Sequence, residues 1–484
     1  MLEAMVRMNE GMIDRRHFLA RATAFGAGFI ALREGFARGG LGAALDNAGG
    51  FGQLVNDPAG LLDLPPGFSY QVLARYGEEM DDGLIVPGMQ DAMAAFPRPD
   101  GTTALVVNHE VEIPAHGPIG PFGRKDERLD RIAPDALYDR DTRARGGCST
   151  IVYDTKTREV RRRTLTLAGT VRNCAGGTTP WNTWLTCEEC FESKGDGFGE
   201  DHGYVFECAP LNDGLTVNPK PIREMGRFNH EAVAIDPTSG VVYLTEDRVD
   251  GLLYRFLPRV RTDLHKGGKL QALAIRGQKR RLMQNWGKAE AIPVGAALPV
   301  EWIDVDEVDT RVDDLRYRGF ERGAAQFARG EGMWFGIGPG AKRDSVRPSS
   351  RVYFACTNGG SKKLGQLWRY LPSPYEGTAR EREDSGVLEL FLEPNDSSVI
   401  ANADNLSVTP WGGLVVCEDS DLDRKRMIMV SPDGRVSTFA HNALNRSELA
   451  GSCFSPDGTT MFVNIQNPGI TLAIHGPWTA GGDK

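Results

Sequence analysis

Residues 173–189 read NCAGGTTPWNTWLTCEE, residues 230–248 HEAVAIDPTSGVVYLTEDR, residues 403–420 ADNLSVTPWGGLVVCEDS and residues 450–466 AGSCFSPDGTTMFVNIQ. All share one frame: a short run of β-type residues, a proline followed within three residues by Gly or Asn, then a second such run. Val, Tyr, Phe, Trp and Thr suit a pleated, half-buried surface, proline cannot donate to a strand ladder, and Gly or Asn lets the chain reverse. Each segment therefore reads as a β-hairpin. Repetition of one hairpin points to sheets arrayed around a central channel, a β-propeller.

Runs of the same kind fill the rest of the chain, among them ALVVNHE (104–110), STIVYDT (149–155), LLYRFLP (252–258), RVYFACT (351–357) and QLWRYLP (366–372). Helical periodicity is scarce past residue 40, so the expected class is all-β, with a few short helices in insertions. Residues 46–484 are expected to form a single propeller domain.

With Pro180, Pro237, Pro410 and Pro456 as anchors, Cys174, Glu231, Asp404 and Ala450 stand six residues before them, and Glu189, Glu246, Asp419 and Ile465 nine after. The turn lies between the two positions, so both meet at the open end of each hairpin and gather at one mouth of the channel. Glu188, His230, Asn405 and Glu418 are their neighbours. So many carboxylates would repel one another unless cations neutralise them. Oxygen donors at this density favour calcium, magnesium, manganese or ferric iron, and the one thiolate adds a preference for iron or zinc. The structural alternative is that blade-end acids only accept hydrogen bonds from loop amides. In FARGEGMWF (327–335), Arg329 and Glu331 are two apart, so on an extended backbone both side chains point the same way.

Asp14-Arg15-Arg16-His17-Phe18-Leu19, followed by the uncharged ATAFGAGFIAL (22–32), has the pattern of a twin-arginine export signal over residues 1–45. The run is too short to span a bilayer. This predicts a periplasmic or secreted protein that meets the twin-arginine machinery and has no stable membrane span. A net charge of −9 and a pI of about 5.6 provide no field for a nucleic-acid backbone. Eight cysteines in 484 residues are too few for a disulfide scaffold. Cys187-Glu-Glu-Cys190 has the spacing of half a zinc site or of a redox pair, with no second CxxC or His pair to follow. Asn108-His109-Glu110 follows a strand and reads either as a weaker candidate segment or as a hydrogen-bonded turn histidine, Gly359–Lys363 reads as a hairpin turn, and Lys279-Arg280-Arg281 as a solvated loop. No nucleophile elbow occurs, and without heptads or a long apolar edge a monomer is expected.

NCAGGTTPWNTWLTCEE, FNHEAVAID, FARGEGMWF and ADNLSVTPWGGLVVCED resemble, in the same order, the motifs of the PhoX-type alkaline phosphatase family. The resemblance runs from about residue 60 to the C-terminus. It implies a propeller whose channel mouth holds Fe(3+) and Ca(2+) and hydrolyses phosphate monoesters. On the matching motifs it implies that Cys174 binds iron and that Glu189, Glu231 and Glu331 bind iron or calcium. Asp404, Glu418 and Asp419 would complete the calcium shell, and Arg329 would contact the phosphate. Two further readings stand beside it: a calcium-dependent propeller lactonase of the gluconolactonase type, which gives Cys174 no task, and a noncatalytic metal-stabilised propeller.

Overall fold

The structure, a computed structural model, describes residues 50–112, 120–141, 143–287, 291–337 and 350–478. The export signal expected over residues 1–45 lies outside the described residues. Among the described residues no helix is long and apolar enough to cross a membrane.

Antiparallel hairpins, each laid beside the one before, build six blades. The first comprises Gln90–Pro97, Thr103–His109, Gly146–Asp154 and Glu159–Thr170; the second Asn173–Thr178, Trp184–Glu188 and Val205–Cys208. The third comprises His230–Ile235, Val242–Glu246, Gly251–Pro258 and Gly268–Ile275; the fourth Gly330–Ile337, Ser350–Cys356, Gln366–Leu371 and Val387–Leu392. Strand Ala297–Asp304 pairs with the outer strands of both, so their edges fuse into one sheet. The fifth comprises Ala403–Val408, Leu414–Glu418, Arg426–Val430 and Val436–Asn442. The sixth joins Leu449–Phe454, Thr460–Ile465 and Ile470–His475 to Ser69–Arg75, so a strand from the start of the propeller completes the last blade. The first-named strand of each blade is innermost, and these strands neighbour one another in a closed ring.

Apolar side chains fill the spaces between blades, with Trp184, Trp368, Tyr204 and Phe206 fully buried. At the closure, Phe51, Phe68, Phe439 and Trp478 pack largely edge to face, with Phe68 and Trp478 ring centres 4.7 Å apart.

Every innermost strand carries a β-bulge near its start. Register shifts lie between Gln90 and Met93, Asn173 and Gly176, His230 and Val233, Gly330 and Met333, Ala403 and Leu406, and Ala450 and Cys453. A bulge inserts an unpaired residue and re-aims a side chain. Here the residues re-aimed include Asp91, Cys174, Glu231, Glu331 and Asp404. The inner strands also approach closely: a β-carbon on Gly332 would lie 2.7 Å from the Asp404 carbonyl oxygen, a distance that only glycine avoids.

Candidate metal centre

The bulge position and the residue that follows the second strand of each hairpin come to the same rim. In chain order the bulge residues are Asp91, Cys174, Glu231, Glu331 and Asp404; in the sixth blade the matching residue, Ala450, still pairs with Asn464 and the bulge falls one residue later. The register pairs Gln90 with His109, Asn173 with Glu188, His230 with Glu246, Gly330 with Cys356, Ala403 with Glu418 and Leu449 with Ile465. The residues just beyond these pairs are Glu110, Glu189, Asp247, Thr357, Asp419 and Gln466. Four sequence segments thus stand for a repeat of six, and Asp91, Glu110, Asp247 and Gln466 belong with the expected residues.

Asp91, Glu110 and Cys174 bring one ligand atom each within 4.8 Å of one another, as do Cys174, Glu189 and Glu231, and again Glu231, Glu331 and Asp404. Cys174 and Glu231 are shared, and the Cys174 thiol lies 3.3 Å from Glu231 Oε1, so the groups form one continuous row. Gln466 donates to Asp91 at 2.8 Å and Glu110 at 3.0 Å, closing one end. Burial first, and then neighbouring carboxylates, chiefly Glu110 beside Asp91 and Glu189, Asp404 beside Glu231 and Asp247 beside Glu331, hold the carboxyls of Asp91, Glu189, Glu231 and Glu331 well above the usual carboxylate range. Burial and the charge of Asp419 push Asp404 up to about 7. The Cys174 thiol is raised by burial, then by Asp91 and Glu231.

These shifts describe a site that favours protons until a cation replaces them. Glu231 Oε2 and Glu331 Oε1 are buried without a hydrogen-bond partner. Arg329 Nη2 stands 2.7 Å from that Glu331 oxygen, but out of line for a hydrogen bond. Buried oxygen donors with unspent lone pairs, in a row with one sulfur, fit metal ions.

The register corrects two expectations. Glu246, placed at the rim by its spacing from Pro237, instead turns away. It accepts from Tyr254 Oη at 2.9 Å and the Leu252 amide at 3.1 Å, with Arg316 at 3.7 Å. Sixteen residues separate Glu231 from Asp247 where fifteen separate Cys174 from Glu189, because the Pro237 turn is one residue longer, so Asp247 takes the rim position. Glu418 likewise does not join the row: Arg426 grips it through Nε at 2.7 Å and Nη2 at 2.6 Å, and the Ala401 amide donates at 2.7 Å. Glu188 is its counterpart, held by His202 at 2.6 Å and the Gly203 amide at 2.9 Å. Side chains alternate along a strand, so at the hairpin ends of the second, third and fifth blades one acid is directed into the blade and its successor toward the channel.

Asp419 is exposed at the rim, 3.3 Å from Lys425 Nζ. Glu448, two residues before Ala450, is raised by burial, then by Asp404 and Asp419, and belongs to the same end. Arg329 stands at the centre of the rim charges, with Nε 2.8 Å and Nη2 2.7 Å from the two oxygens of Asp247. His109 is structural: buried, with Nδ1 3.1 Å from the Gly88 carbonyl oxygen and Nε2 2.8 Å from Ser149 Oγ. Cys187 and Cys190 are buried and belong to none of the three candidate groups.

In a search of curated proteins by sequence, none matches. Among solved structures the chain is similar to Pseudomonas fluorescens PhoX in complex with vanadate, a transition state analogue. The two are 19% identical with a TM-score of 0.62, over 87% of this chain and 97% of that one, a likeness of fold. The periplasmic gluconolactonase PpgL of Pseudomonas aeruginosa is 12% identical with a TM-score of 0.38, over 83% of this chain and 90% of that one, too slight to bear on the site. A family model for alkaline phosphatase PhoX matches residues 49–469, from before the closing strand into the last blade and across every member of the acidic row. The chain belongs to the alkaline phosphatase PhoX family.

Proposed function

We propose that this protein is an exported phosphomonoesterase that works at alkaline pH, with iron held around Cys174 in the middle of the row and calcium at the Glu331 and Asp404 end. Family membership supports the reaction. The observation that carries the residue roles is the Arg329 guanidinium set beside the Glu231, Glu331 and Asp404 group, where two buried carboxylate oxygens lack partners. Cys174, Glu189 and Glu231 would hold iron, because the thiolate is the soft donor of the set. Glu331 and Asp404, with Asp419 at the rim, would hold calcium, which takes many oxygen donors. Bound there, the ions would supply Lewis acidity to the phosphoryl oxygens.

The chain's own part is positional. Asp247 fixes Arg329 in a two-point grip through Nε and Nη2 that does not engage Nη1, and a guanidinium so held would meet the equatorial oxygens on which charge develops during phosphoryl transfer. The twin-arginine pattern at residues 14–19 supports export to the periplasm or beyond. The test is turnover of aryl and alkyl phosphates by metal-replete protein from neutral to strongly alkaline pH, together with metal analysis. Iron with phosphatase turnover is expected. Calcium alone, with turnover of a lactone and no phosphate ester, would overturn the proposal.

A further inference from the structure

Arg329 has a counterpart two blades away. Arg172 stands two residues before Cys174, as Arg329 stands two before Glu331, and both adopt left-handed backbone, with φ of 47° and 55°. That conformation is uncommon for a residue with a β-carbon and persists where the surroundings enforce it. Each guanidinium reaches back to the rim carboxylate of the preceding blade and also meets one from its own. Arg329 takes Asp247, with Glu331 at 2.7 Å; Arg172 takes Glu110 at 2.7 Å and Glu189 at 2.6 Å. The equivalent positions of the other blades hold Met89, Asn229, Asn402 and Glu448, so the repeat supplies a cation at only two of these rim positions.

Neutralising Glu110 and Glu189 occupies only Nη2 of Arg172. Its Nε is buried without a hydrogen-bond partner, and Nη1 stands 4.0 Å from Glu112, too far for a hydrogen bond. A planar fork of five donors therefore keeps most of its capacity unspent. Its side chain is 33% exposed, matching the 34% of Arg329. We infer that Arg172 is a second phosphate-contacting residue, so that a phosphomonoester is gripped by guanidinium groups from two blades. This inference rests on the proposed phosphatase function.

The test uses the metal-loaded full-length protein as wild type, Arg172→Gln and Arg172→Lys, with inorganic phosphate as the probe. Phosphate binding is read by titration calorimetry and product inhibition, and metal content by mass spectrometry. The expected result for Arg172→Gln is wild-type metal content with phosphate affinity weakened roughly ten- to hundredfold, the loss of one charge-assisted contact. KM should rise more than kcat falls. Arg172→Lys should recover affinity only in part, because a point charge lacks the fork. Unchanged phosphate affinity in Arg172→Gln, beside an active wild type, would overturn this inference alone. Metal lost in Arg172→Gln, and both metal and full phosphate affinity regained in Arg172→Lys, would show a charge neutraliser and overturn it as well. A wild type that neither binds phosphate nor turns over an ester would instead bring down the proposed function.

Discussion

Cys174 is the residue on which the chemistry of the row turns. Its thiol sits among Asp91, Glu231, Glu110 and Glu189, which together with burial oppose the free thiolate, so only a bound cation makes that thiolate favourable there. Cys174→Ser keeps the size and hardens the donor. The expected outcome is loss of iron and of its visible absorption, with the melting temperature of the metal-free protein little changed; equal iron in both proteins would refute the assignment. Arg329 should separate differently. Arg329→Gln leaves the acidic row in place, so metal content should hold while kcat falls about a hundred- to a thousandfold, the usual cost of one donor aimed at developing charge. Steady-state kinetics on protein of measured metal content checks this.

At the scale of the hairpin, adjacent acids have opposite tasks. Glu189 faces the channel whereas Glu188 binds His202 and the Gly203 amide, and Glu418 forms a buried fork with Arg426 while Asp419 reaches the rim. Arg426 also donates to the carbonyls of Ser397 and Ser398, so the Glu418 pair ties the fifth blade to the chain that enters it. Removing one partner of such a pair leaves a buried charge uncompensated, at a cost of about 3–5 kcal/mol. Glu418→Gln should therefore lower unfolding stability by that order with metal retained, and Glu189→Gln should lose metal with less effect on the metal-free fold. Denaturant unfolding and metal analysis of the two variants form one experiment, and a reversed pattern would show that the alternation has been misassigned.

Across the whole molecule, ring closure and the buried charges of the second blade govern stability. Strand Ser69–Arg75 completes the last blade, and Trp478 packs on Phe68, Phe439, Phe51 and Phe454 at the seam. Trp478→Ala should cost about 3–5 kcal/mol and expose the closing strand first, which hydrogen exchange along Ser69–Arg75 would reveal. His202 supplies the pH dependence. Burial alone would lower its pKa, but Glu188 and Asp139 outweigh it and raise the value to about 9. Below about pH 6.5 the folded and unfolded chains both hold the proton and the stabilisation is complete. Above that the unfolded chain loses its proton first, and the contribution fades as pH climbs through about 9. Wild-type melting temperature should therefore fall more steeply between neutral and alkaline pH than that of His202→Gln; parallel curves would remove His202 from the account.

Local sequence determined a good deal about this protein. Hairpin frames with their prolines and turn glycines set the all-β class and the repeat, because strand periodicity and turn chemistry are local properties. Those frames also marked Cys174, Glu189, Glu231 and Asp404, which the fold brings into one row together with Glu331 from FARGEGMWF. Asp91 stands six residues before Pro97 and carried the same signal, masked because its hairpin is longer and Glu110 falls outside the shared spacing. Tertiary structure alone decided what depends on register. One extra turn residue moved the rim position from Glu246 to Asp247, and the alternation of a strand directed Glu418 to Arg426 and away from the channel. A period of two reverses the direction of every side chain with a one-residue slip, and only pairing against the neighbouring strand fixes that count.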